Sequence, residues 1–174
     1  MTHATIIGDI ERFGFGISPI EDSPSGQVQV VDIYVASKRL AAFDNSAYIP
    51  SFATSLERTS DCLKAKIDYL RFVGLFGDKD PMDIHALLRD DETGVEESHR
   101  FMEWGETTND IISFLIPYRG QLHLTYQMID YSKTGVKRLS QVDGLIVTPY
   151  ELIVTLDQMA QTLQASWHPA NAKE

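Results

Sequence analysis

Cysteine is almost missing from this chain of 174 residues: Cys62 stands alone. No internal disulfide can form, and a reducing compartment suits the protein. Basic residues are also scarce, 15 Lys and Arg against 25 Asp and Glu, for a net charge of −10. Nucleic acid and anionic membrane repel such a surface, which argues against both as direct partners. A basic protein partner suits it. No apolar run reaches the ~20 residues that a spanning helix needs. Residues 1–9 hold no basic stretch ahead of an apolar one, so no signal peptide is expected and a cytoplasmic location is.

Catalytic signatures are missing too. There is no Gly-x-Ser-x-Gly elbow for a serine nucleophile. Cys62 falls within an amphipathic helical pattern, without an adjacent base, and reads as a packing residue. Gly14-Phe15-Gly16 lacks the third glycine and the following helix of a nucleotide loop, and Pro19 arrives first. Gly77-Asp78-Lys79-Asp80 is too short for a calcium loop and carries a lysine. No two of His3, His85, His99, His123 and His168 stand at metal-ligand spacing. No catalytic, metal or cofactor site is assigned, and no cofactor is expected. His123 is the mild exception, because it lies on the polar face of a central strand.

What is present is an ordinary globular composition, 43% hydrophobic and 23% charged, at the length of one compact domain over residues 1–174. The organising stretch is Arg100–Ile129. Ile111–Pro117 is apolar and β-rich, Tyr118-Arg119-Gly120 is a turn, and strict alternation follows. Leu122, Leu124, Tyr126 and Met128 point one way, Gln121, His123, Thr125 and Gln127 the other. This predicts a hairpin with one buried face, its apolar strand in mid-sheet.

Ahead of it, Thr5–Ile7, Phe13–Ile17 and Val28–Ala36 read as strands, with Leu40–Phe43 as a short return. Together they make an antiparallel meander. The glycines of the second strand predict a bulge or a close backbone approach. Glu21–Gly26 reads as a loop. Thr54 and Glu57 have capping-box spacing ahead of an amphipathic helix that buries Leu56, Leu63, Ile67 and Leu70, with Gly74 and Gly77 breaking it. Asp80 and Pro81 start a shorter helix with Ile84, Leu87 and Leu88 buried. Tyr131–Gly135 is a turn, and Val142–Val147 is the last strand. Thr148, Pro149 and Glu151 open a final helix that buries Leu152, Leu156, Met159, Ala160, Leu163 and Trp167 and ends at His168-Pro169. The order predicts an α+β fold, a largely antiparallel sheet with two or three helices packed on it.

Between Asp78 and Glu97 the acidic residues Asp78, Asp80, Asp83, Asp90, Asp91, Glu92, Glu96 and Glu97 face only Lys79 and Arg89. Such a run is either a solvated surface or a docking site that speeds association with a basic partner. The candidate partner-binding residues are Asp90, Asp91, Glu92, Glu96, Glu97 and Trp104. Trp104 and Tyr118 serve as aromatic anchors, or Trp104 as a core residue. An alternative is a small-ligand-binding or hydrolytic domain, with His123 and either Asp110 or Glu103 as a general-base pair in a sheet-enclosed pocket.

Ile6-Ile7-Gly8-Asp9 with Phe13, then Val31–Val35 ahead of Lys38-Arg39-Leu40, then Thr54-Ser55-Leu56 opening a helix, resembles immunity family forty-two of the bacterial polymorphic toxin systems. The resemblance covers about the first third of the chain. It implies a small cytoplasmic protein encoded beside a toxin, one that binds the cognate effector domain and blocks it by occlusion. The toxin would be a nuclease, deaminase or other intracellular enzyme, delivered by a contact-dependent or type VI secretion pathway. An acidic inhibitor suits a basic nuclease, whose phosphate ligand it mimics. An adaptor or chaperone for a secreted effector is a further alternative, and monomer and dimer both remain open.

Overall fold

The computed structural model describes residues 5–19, 27–40, 45–65, 76–131 and 137–167. Among them are two antiparallel sheets and three α-helices, an α+β fold as the element order predicts. The Glu21–Gly26 loop, the Gly74 break, Ile67 and Leu70 lie outside the described residues. So do most of the Leu40–Phe43 return and of the Tyr131–Gly135 turn, and the chain from His168 onward.

The first sheet joins β1 (Thr5–Gly8), β2 (Phe13–Ile17) and β3 (Val28–Val35) in that order. Two short strands, β4 (Lys38–Arg39) and β5 (Ser46–Tyr48), share the far edge of β3. The alternation of β3 decides its faces. Val31, Ile33 and Val35 are fully buried, whereas Val28 and Val30 stay exposed on the other side. The predicted close approach is present at Gly14: a Cβ there would stand 2.9 Å from the Ile7 carbonyl. Gly8 has φ +78°, and a Cβ on it would meet Thr155 at 2.6 Å, so glycine lets β1 end against the last helix.

The second sheet is built on β6 (Ile111–Tyr118) and β7 (Gln121–Tyr131), with β8 (Lys137–Leu139) and β9 (Asp143–Val147) sharing the far edge of β7. Arg119 and Gly120, both at positive φ, close the predicted hairpin in two residues, and Tyr118 pairs with Gln121. Ala36 and Ser37 make the same kind of turn between β3 and β4. Two expectations change here. β7, not β6, is the mid-sheet strand; the outer edge of β6 meets the segment around Arg100. Moreover, the polar face of β7 is not open to solvent, since Thr125 and Gln127 are buried.

What covers that face is α2 (Pro81–Arg89), which seats Ile84 and Leu88 against Phe114 and Ile116 in a small second core. The large core lies on the other side of the sheet. It joins both sheets to α1 (Ile49–Ala65) and α3 (Pro149–Ser166), which pack on each other. Each Leu, Ile or Phe so buried contributes about 1.5–3 kcal/mol relative to exposure.

The helix starts differ. α2 and α3 begin as predicted, on Asp80-Pro81 and Thr148-Pro149, and the Thr148 hydroxyl accepts from the Glu151 amide at 3.1 Å. α1 begins at Ile49, five residues before the anticipated cap. Thr54 therefore lies inside it, donating its hydroxyl to the Pro50 carbonyl at 2.9 Å. Pro50 in the first turn and the buried Ile49 and Phe52 set the true start.

Candidate functional site

α2 positions the acidic segment. The Asp80 carboxylate accepts from the amides of Met82 and Asp83 at 2.9 and 3.0 Å and fixes the first turn. Past the last turn the five acidic candidates have separate duties. Asp90 takes a two-pronged ion pair from the Arg89 guanidinium, at 2.7 and 2.6 Å, which holds its pKa below the ordinary carboxylate value. Asp91 organises the loop: it accepts from the Thr93 hydroxyl at 2.7 Å and from the amides of Thr93, Val95 and Glu96. Those donors, the Thr93 hydroxyl first, lower its pKa to about 2. Glu96 is largely buried and reaches Arg100 at 3.4 Å. Glu92 and Glu97 point into solvent. The five carboxylates thus gather at one end of α2, but three of them, Asp90, Asp91 and Glu96, are committed to the fold's own contacts.

Trp104 does not join them. It is 2% exposed and packs in the large core against Phe13, Phe15, Phe52 and Phe101, while its indole N–H donates to the Thr59 hydroxyl at 3.0 Å. The anchor reading is corrected by that burial: nothing outside can reach the ring. Tyr118 is half-buried beside His123 at 5.8 Å, with the Arg119 guanidinium 5.1 Å above its ring.

The general-base pair does not assemble. His123 lies opposite Ile116 on β6, whereas Asp110 precedes the strand and its carbonyl accepts from Ile129. Six residues at ~3.3 Å each separate the two levels by about 20 Å. Glu103 follows Phe101, which is bonded to Ser113, and is held by Arg100 at 2.8 Å. Two other histidines are engaged by the fold: His99, buried with its Nδ1 3.0 Å from the Ser98 hydroxyl, and His85, fully buried, its Nδ1 2.9 Å from the Thr125 hydroxyl and its ring 4.9 Å from Phe114. For His85, burial, then the nearby Arg89, lowers the pKa to about 4. Its sequence signal was its position beside Ile84 on the apolar side of α2.

The inner faces of the sheets are filled with side chains. Open space lies instead in surface clefts, among them two on either side of residues 100–103 of about 370 and 330 Å³ and a smaller one of about 160 Å³ beside Phe76 and Tyr118. The two larger ones share Arg100, Phe101, Met102 and Glu103 in their walls. Among the described residues no group of three or more His, Cys, Asp or Glu is arranged to hold a metal, and no helix is long and apolar enough to cross a membrane.

One surface feature escaped the sequence reading. Leu87, expected on the buried side of α2, is 46% exposed, and Met82 is 37% exposed. The buried arc is instead occupied by Ile84, His85 and Leu88.

No family model matches the sequence, and no curated protein does. A solved structure does resemble this fold: CdiI from Burkholderia dolosa AUO158, a contact-dependent inhibition immunity protein, at a TM-score of 0.56 and 12% identity. The likeness covers 90% of this chain and 99% of that one, so the two share a fold through nearly their whole length.

Proposed function

We propose that this protein is an immunity protein, which binds a cognate bacterial toxin one-to-one and blocks it without catalysis of its own. The observation that carries this reading is the end-to-end fold likeness to CdiI, with 90% of this chain and 99% of that chain aligned. Membership of immunity family forty-two in particular is part of the proposal, since no family model matches the sequence. The net charge of −10 favours a basic partner, a nuclease among the suitable ones, and disfavours nucleic acid or membrane as direct partners of this protein; we place its action in the cytoplasm. A contact-dependent or a type VI pathway would deliver such a toxin.

The exposed carboxylates Glu92 and Glu97 steer the encounter, because charges at the rim act mainly on the association rate. Asp90 and Asp91 support them from below, holding α2's end and the loop. Reversing Glu92 and Glu97 to lysine therefore slows association at low salt and leaves the loop intact, which reversing Asp91 would not.

The decisive experiment expresses the toxin domain encoded beside this gene in a susceptible cell, with and without this protein, and purifies the pair. Rescue of growth with a stoichiometric complex is the expected result. Binding without rescue would assign an adaptor or chaperone instead. Absence of both rescue and binding would overturn the proposal and direct attention to the clefts beside residues 100–103.

A further inference from the structure

We propose that the outward face of α2 docks a protein surface with an apolar hollow rimmed by lysine or arginine; this deepens the immunity reading and rests on it. The inward arc of α2 holds Ile84, His85 and Leu88. At about 100° per residue the opposite arc runs Met82, Ala86, Asp90, Asp83, Leu87. Two exposed apolar side chains, at 37% and 46%, therefore flank an acidic ridge.

The surrounding charge is mainly acidic, with the exposed Lys79 as the opposing charge ahead of the helix. Asp78 and Asp80 precede the helix and Glu92 follows it. Arg89 is turned inward, donating to the Gln127 side chain at 3.1 Å and pairing with Asp90. Apolar contacts ringed by charge are how interfaces combine affinity with partner choice, and the acidic ring selects a basic counterpart. The helix is also held firmly: Asp80 caps it, His85 meets Thr125, and Arg89 meets Gln127. A partner meets a preformed face, so little ordering cost opposes binding. Another exposed apolar face, Ile6, Val28, Val30 and Tyr48 on the first sheet, carries a single carboxylate among its strand residues. Its Asp32 carboxylate is already engaged by Arg39 at 2.8 Å and Asn45 at 2.7 Å.

The test measures binding of the toxin domain encoded beside this gene to four full-length proteins: wild type, Met82→Lys with Leu87→Lys, Asp83→Lys, and Val30→Lys. Thermal unfolding of each verifies the fold, which exposed helix positions tolerate. The double α2 variant is expected to raise Kd about tenfold or more. Asp83→Lys should slow association at low salt and converge on wild type at high salt. Val30→Lys should stay within about twofold of wild type. Unchanged binding by the α2 double variant, or loss of binding in Val30→Lys alone, overturns the α2 face while the immunity reading stands. An Asp83→Lys effect that does not respond to salt overturns the basic counterpart. A wild-type protein that neither binds nor protects overturns the immunity reading itself.

Discussion

Strands β3 and β7 hold the same place in their sheets. Each is paired on one edge by a preceding strand, β2 or β6. Each gives its other edge to two short strands, β4 and β5 or β8 and β9. In both, a helix follows at once, α1 after β5 and α3 after β9. The sequence shows no repeat, so the plan is shared in topology alone. The halves differ in what lies over the second face. On the first sheet, β3 exposes Val28 and Val30 there; on the second, α2 covers Phe114, Ile116, Thr125 and Gln127. The covered face remains partly polar because α2 brings partners to it: His85 for Thr125 and Arg89 for Gln127. Polar residues alternating along a strand therefore mark either water or a matched polar layer, and the pairing element decides which.

The halves are welded where they meet, and the largest effect lies there. Trp104→Ala removes the ring that packs on Phe13 and Phe15 of the first sheet and on Phe52 of α1. It should cost about 3–5 kcal/mol in a denaturant titration. A loss confined to one half would show up as two separate transitions and would break the picture of a shared core.

The covered face should give the second half an acid sensitivity that the first lacks. The folded pKa of His85, about 4, is below the ordinary value of 6.5. The unfolded chain thus takes up this proton first. Stability from the neutral imidazole is complete above pH 6.5, declines as the pH falls toward 4, and is at most about 3 kcal/mol. Burial also pushes down His99 and His123, which act in the same sense. His85→Gln should flatten unfolding free energy against pH in that window, and hydrogen exchange at pH 4.5 should rise first in α2. Equal loss of protection in β2 and β3 would count against the difference between the halves.

The smallest effect compares the two helix starts. Thr148→Ala leaves the Glu151 amide of α3 without its cap and should lower stability by about 1 kcal/mol. Thr54→Ala removes only a back-bond inside α1 and should change it by less than about 0.5 kcal/mol. Equal costs would mean that the real start of α1 is at Thr54 after all.

These comparisons also mark what could be read from residues. The α3 start was legible because hydroxyl, proline and carboxylate stand at fixed spacing; α1 misled because Thr54 and Glu57 keep that spacing within a helix already begun. Acidic crowding after α2 was visible, but not that Asp91 spends its carboxylate on Thr93, Val95 and Glu96. Trp104 could be anchor or core on sequence grounds, since aromatic character serves both. Leu87 was misjudged because helical spacing admits it to the buried arc, and β6 and β7 filled that arc with its neighbours.

By itself, the amino-acid order determined many of the elements and some of their faces: the hairpin at Arg119-Gly120, the inward Val31, Ile33 and Val35, two capped helices, an α+β fold and a strongly acidic composition. These follow from local backbone preference and from period, which act between neighbours in the chain. Only the tertiary structure decided that the strands divide into two sheets, that α2 covers one of them, which carboxylates remain free and which leucine faces water. Those outcomes depend on contacts between residues far apart in sequence, such as His85 with Thr125 and Arg12 with Glu151. Burial and hydrogen-bond satisfaction choose among them, and neither is a property of a local stretch of chain.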